Sequence, residues 1–172
     1  MKLIGNNFII RNYINEDAEN LTQYANNSKI WINLRDGFPH PYTIDDANHF
    51  IGLVNLADPV TNYGIIINNI CVGAIGFELG KDVFRKTAEV GYWLGEEFWN
   101  RGIMTNAVKL FTDFMFETFD IERIQASVFD WNPASAKVLS KAGFTLEARL
   151  RKHIIKNNML GDELIYAKLK NN

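Results

Sequence analysis

The sequence holds a single cysteine, Cys71, so no internal disulfide can form, and one thiol fits a reducing compartment. Prolines number four and are scattered, with no linker, low-complexity tract or internal repeat. No apolar run approaches the roughly 20 residues that a membrane helix needs. The stretch Met1–Asn7 carries too little apolar length for a secretory signal, which points to the cytoplasm. Charge of one sign is missing as well. Eighteen basic against twenty acidic side chains leave a net charge of −2, and no basic surplus points to a nucleic-acid partner. The three histidines are not at metal-ligand spacing, so no metal site is expected. Neither Gly-x-x-x-x-Gly-Lys-Ser/Thr nor a strand-linked Gly-x-Gly-x-x-Gly occurs, which argues against nucleoside triphosphatases and dinucleotide dehydrogenases. What remains is 172 residues, 47% hydrophobic and 13% aromatic, enough for one domain over 1–172 with a sizeable core.

The patterning interleaves strands and helices. Phe8–Tyr13 reads as a strand, and Ala18, Leu21 and Ala25 space a short amphipathic helix from Glu16 to about Asn26. Two prolines hold Phe38–Tyr42 as an extended loop. Thr43 and Asp46 are spaced as a capping box with Asp in place of Glu, opening a helix whose stripe is Ala47, Phe50, Ile51 and Val54. Tyr63–Ile67 and Ile70–Leu79 flank the turn pair Asn68-Asn69 as a hairpin, and Ala88–Leu94 is a further strand. Gly102–Thr118 is the strongest helix, and Ile121–Phe129 a strand. Asn132-Pro133 opens a helix ending at Gly143, with Asn as cap and Pro at the first helical position. Strands about Phe144–Ile155 and Glu163–Leu169, joined by Asn157–Gly161, close the chain. The expected class is α/β with a mixed, mostly antiparallel sheet flanked by helices. Cys71, between Ile70 and Val72, reads as a small core residue.

The informative stretch runs from Val90 to Thr105, a strand passing through a short loop into a helix opened by Gly102. The free N–H groups and the positive dipole end of a helix's first turn form an anion site. Gly102–Asn106 carries no acid, and Arg101 adds a positive charge at the mouth. A phosphate-bearing ligand fits; a tight strand-to-helix turn with no ligand explains Gly102 equally well.

Four stretches in order then resemble one family. They are Phe38-Pro39-His40-Pro41-Tyr42-Thr43; Glu89–Leu94 leading into Trp99-Asn100-Arg101-Gly102; Asn132-Pro133-Ala134-Ser135 with Gly143-Phe144; and Gly161-Asp162. From Phe8 to Leu169 the chain resembles the GNAT superfamily of acyl-CoA-dependent N-acetyltransferases, nearest the ribosomal-protein alanine N-acetyltransferase branch. The resemblance implies acetyl-CoA as cofactor and a primary amine as acceptor, such as a protein N-terminus, and it allows a homodimer. The family's pyrophosphate loop, Gln/Arg-x-x-Gly-x-Gly/Ala, places Trp99, Asn100, Arg101, Gly102, Ile103, Met104 and Thr105 at the phosphates. Trp99 and Met104 depart from the pattern, and the Met104 side chain must turn away from the ligand. By the same resemblance the strand before the loop splays from its neighbour, and Tyr92, Trp93 and Leu94 offer main-chain contacts to the pantetheine arm. Asn132 binds that arm and Ser135 reaches the sulfur. Both residues are also explained locally, as N-cap and first-turn polar residue.

The reaction implied is attack of a neutral amine on the thioester carbonyl, with the oxyanion held by a backbone N–H near Leu94. Glu89, just ahead of the cofactor edge, is the candidate base, or a partner in a structural ion pair. The family's acid tyrosine is replaced by Leu139, so Ser135 becomes the proton donor. His153 stands beside Ile154, where some ribosomal-protein acetylases carry a glutamate base, and strand alternation puts it on the opposite face. Trp31, Arg35, Asp36, Phe38, His40 and Tyr42 are expected to line the acceptor side, or, for the aromatics, to pack the loop. A non-catalytic acyl-CoA-binding module and an acetyltransferase of small amines, polyamine or antibiotic, are the alternatives.

Overall fold

A computed structural model describes residues 1–170. Eight strands and five helices run β1 Lys2–Ile4, β2 Ile9–Arg11, α1 Asp17–Ala25, α2 Ser28–Trp31, α3 Ile44–Leu56, β3 Asn62–Ile67, β4 Ile70–Leu79, β5 Thr87–Leu94, α4 Ile103–Thr118, β6 Arg123–Phe129, α5 Pro133–Lys141, β7 Thr145–Lys156 and β8 Met159–Leu169. The strand order is β1-β2-β3-β4-β5-β6-β8-β7, the mixed sheet expected from the patterning. By packing, the residues fall into two compact units, Met1–Gly76 with Tyr92–Met104, and Phe77–Gly91 with Thr105–Asn172.

In the first unit β1, β2, β3 and β4 pair antiparallel in succession. Leu21 of α1 and Ala47 and Ile51 of α3 bury with Tyr13, Ile66 and Cys71. The box expected at Thr43 is formed: the Asp46 N–H donates to Thr43 Oγ1 (3.2 Å) and the Thr43 N–H to Asp46 Oδ2 (2.8 Å). Asp17 is 3% exposed, which would be costly for a lone carboxylate. It accepts two hydrogen bonds from the Arg11 guanidinium (2.7 and 2.9 Å) and one from the Ile14 N–H (2.9 Å). Burial pushes the Cys71 thiol up to about 12, so this cysteine is an inert core residue, as its apolar neighbours suggested. Gly73 lets β4 approach β5: a Cβ there would lie 2.5 Å from the Trp93 carbonyl oxygen.

In the second unit β6 alternates, with Ile124, Ala126 and Val128 buried and the intervening residues half-buried. Phe111 and Met115 of α4 and Leu139 of α5 are buried core side chains. The Phe77 ring packs with Phe111 and Phe119, centroids 5.9 and 4.9 Å away. Strand β8 pairs antiparallel with β6 over seven residues, from Arg123↔Leu169 to Phe129↔Glu163, and with β7 on its other side.

Three local features differ from the sequence reading. The closing hairpin turns on Asn157 and Asn158 alone, both with positive φ (49° and 61°), and Met159–Gly161 belongs to β8 rather than to a loop. Asparagine tolerates the left-handed region, so two residues suffice. A single helical turn, α2, caps on Asn27, whose side chain accepts from the Lys29 N–H at 2.8 Å. The three-residue β1 pairs with β2 although its sequence is too short to announce a strand.

Candidate active site

In the first unit the loop from β5 to α4 is built almost entirely from its own residues. The Gly95 N–H donates to the Val72 carbonyl (2.8 Å), and a 3-10 turn over Glu96–Phe98 follows. Trp99 Nε1–H donates back to the Leu94 carbonyl at 2.7 Å, which gives the departure from the family pattern at this position a structural reason. Asn100 (φ 59°) and Gly102 (φ 73°) then take the left-handed region, and Ile103 starts α4. No acid occupies the first turn of α4. The position a Cβ would take on Gly102 has nothing else within 4 Å among the described residues. Met104 is buried at 8% exposure. Arg101 stacks its guanidinium over Phe98, 5.6 Å from the ring centroid. An open, acid-free helix N-terminus beside a cation fits a phosphate group.

Glu96 fastens this loop, a role its sequence gave no sign of. It accepts from Asn27 Nδ2 (2.8 Å) and pairs with the Lys29 ammonium, which with Asn27 holds the Glu96 carboxyl below its usual range. The residues expected on the acceptor side are aromatic neighbours. Trp31 stacks on His40 (5.3 Å), Phe38 stacks on Tyr42 (5.0 Å), and Trp93 meets Phe38 edge-on (6.0 Å). Tyr42 is buried with the core, and Trp31 and Phe38 keep part of their surface exposed. Arg35 and Asp36 are both exposed, in the turn between them.

In the second unit the parallel ladder between β5 and β6 spans three residues among those described, Thr87–Glu89 against Arg123–Gln125. Both strands run on past it, β5 to Leu94 and β6 to Phe129. Glu89 lies inside the closed part, where its carboxylate accepts a long hydrogen bond from Gln125 Nε2 (3.5 Å). Asn132 caps α5, its side chain accepting from the Ser135 N–H at 3.2 Å, and Ser135 is half-buried in the first turn. The β7–β8 ladder is interrupted at His153. Between the pairs Leu150↔Glu163 and Ile154↔Gly161, three residues of β7 face one of β8, a bulge in which Lys152 has φ 53°.

In the first unit a positive-φ glycine leads into an acid-free helix start that suits a phosphate-bearing ligand, and in the second an asparagine caps the helix after β6. Residues 7–145 match the acetyltransferase (GNAT) domain family, and the chain belongs to it. GNAT enzymes use acetyl-CoA, and this one is an acetyl-CoA-dependent N-acetyltransferase. It is 29% identical over 163 residues to the uncharacterized N-acetyltransferase p20 of Bacillus licheniformis, covering 90% of this chain and 88% of that one. It is 30% identical over 98 residues to the ribosomal-protein-serine acetyltransferase of Escherichia coli (strain K12), covering 57% of this chain and 54% of that one. A crystal structure of the microcin C7 self-immunity acetyltransferase MccE, in complex with acetyl-CoA and AMP, superposes with a TM-score of 0.83 at 27% identity, covering 96% of this chain and 93% of that one.

Proposed function

We propose that the chain acetylates the α-amino group of a protein N-terminus in the cytoplasm, residues 1–172 forming a single N-acetyltransferase domain with its core from about 8 to 169. The similarity to a ribosomal-protein-serine acetyltransferase carries the choice of acceptor. Trp31, Arg35, Asp36, Phe38, His40 and Tyr42 bind the first residues of the peptide, the aromatic stacks giving apolar walls and Asp36 a partner for its ammonium.

Acetyl-CoA supplies an activated acyl carbon and a thiolate leaving group. The N–H groups of Gly102–Thr105 and the Arg101 guanidinium hold its phosphates, with Trp99 and Asn100 setting the loop's course. Main-chain groups of Tyr92, Trp93 and Leu94 pair with the arm, and the Leu94 region donates to the carbonyl oxygen as it gains negative charge. Asn132 contacts the arm at the mouth of the divergence, and Ser135 passes a proton to the departing sulfur.

The test is turnover of acetyl-CoA with hexapeptides beginning in alanine or serine, beside spermidine and a lysine side-chain amine, read by mass spectrometry. Peptide acetylation at the α-amine supports the assignment. Faster turnover of spermidine, or of a nucleotide-linked amine as the MccE neighbour suggests, overturns it in favour of a small-molecule acceptor.

A further inference from the structure

The sequence offers Glu89 as the proton acceptor for the incoming amine, but the second unit holds another pair that suits the task. His153 Nδ1 lies 2.6 Å from Glu163 Oε2, with the histidine side chain 56% exposed and that of the glutamate 13%. A carboxylate only accepts hydrogen bonds, so in the neutral imidazole the Nδ1 carries the proton and Nε2 keeps a lone pair. The bulge sets this arrangement. Asp162, the one β8 residue facing three of β7, accepts from the Lys152 N–H (2.8 Å) and from Arg149 Nε (2.6 Å). Its own N–H donates to Asp130 Oδ1 (3.2 Å), and its carbonyl accepts from the Asp130 N–H (3.0 Å). The bulge is thereby tied to the turn that leads into the Asn132 cap.

Position separates this pair from Glu89. Glu163 faces Phe129, the last residue of β6, three residues before Asn132, whereas Glu89 faces Gln125 inside the closed ladder. Four strand residues, about 13 Å at the usual rise, separate the two levels. Resting on the N-acetyltransferase reading above, we infer that His153 is the general base and that Glu163 is its positioning residue. The acceptor ammonium gives one proton to Nε2. The neutral amine then forms the C–N bond to the acyl carbon as the C–S bond breaks. The second nitrogen proton ends on the sulfur, and the imidazolium releases its proton to water. The charged groups around the pair are Arg149, Arg151 and Lys152 on β7, Asp162 on β8 and Asp130 at the end of β6.

The test compares H153Q, E163Q and E89Q with the wild type on the faster of the two hexapeptides, across pH 6.5 to about 9.5. H153Q is expected to lose about 100-fold in kcat at pH 6.5, with the KM for acetyl-CoA unchanged. The defect narrows to a few-fold above about pH 9, where an α-amine, with a pKa near 8, is already neutral. Added imidazole restores part of the rate, and E163Q loses less than H153Q. A pH-independent defect, or a pH-dependent loss in E89Q with none in H153Q, overturns the assignment. The acceptor reading fails separately, if the wild type prefers a non-peptide amine. Long-range proton–nitrogen NMR correlation decides independently of any acceptor: the Nδ1–H tautomer of His153 is required, and the Nε2–H tautomer refutes the proposal.

Discussion

Gly102 can be probed by replacing it with Asn and with Asp. At φ 73° most side chains are strained by about 1–2 kcal/mol, but Asn and Asp tolerate the left-handed region best. No other described residue crowds the new Cβ, so neither variant needs repacking. The two differ only in charge. A carboxylate in the first-turn region stabilises the α4 macrodipole by about 0.3–1 kcal/mol, so G102D should melt no lower than G102N. Binding goes the other way. A unit charge about 6 Å from a phosphate, at an effective dielectric constant of about 40, costs about 1.4 kcal/mol, which is a tenfold weaker Kd. Calorimetric titration with acetyl-CoA at low salt should show G102N within a few-fold of wild type and G102D about tenfold below G102N. The gap should shrink at about 0.5 M salt. Equal affinities for the two variants, both folded, would refute the placement of the phosphates at this helix start.

The other predictions concern the scaffold. Thr43→Ala removes the capping box and should cost about 1 kcal/mol, lowering Tm by about 2–4 °C in a thermal melt. Gly73→Ala forces a methyl to within 2.5 Å of the Trp93 carbonyl, and should destabilise by about 1–3 kcal/mol while weakening acetyl-CoA binding through the displaced β5 edge. The Cys71 thiol, pushed up to about 12 by burial, should resist alkylation at pH 8 in the native protein and react on unfolding; prompt native-state labelling would contradict its burial. The Lys152 N–H and Arg149 hold the Asp162 carboxyl below its usual value. Its contribution to the hairpin is therefore present at neutral pH and lost as pH falls through that lowered value. Amide exchange in β7 and β8 should speed up in strong acid in the wild type, with less pH dependence in D162N.

The sequence conveys what depends on near neighbours in the chain. The Thr43 box, the Asn132 cap with Pro133 after it, the Asn68-Asn69 turn and the α4 stripe are relations within one to four residues, and all are present as read. Departures occur where a partner distant in the chain decides. Three-residue β1 becomes a strand only because β2 pairs with it, and Asp17 is buried where the Arg11 guanidinium reaches it. Trp99 looked like a mismatch to the family loop until the Leu94 carbonyl appeared as its hydrogen-bond acceptor.

The same division runs through the site. Gly102, the acid-free start of α4 and the Asn132–Ser135 turn were legible because backbone conformation, capping and helix polarity are local chemistry. Where the β5–β6 ladder ends, which carboxylate fastens the loop and which residue meets His153 could not be read from the sequence. Strand alternation takes the ladder at His153 as unbroken, and the bulge facing Asp162 interrupts it. By itself the sequence determined the elements, their caps and an acid-free helix start after Gly102. Only the tertiary structure decided the bulge, the extent of the β5–β6 ladder and the His153–Glu163 contact, because each depends on register between strands, which cross-strand pairing sets and local propensity does not.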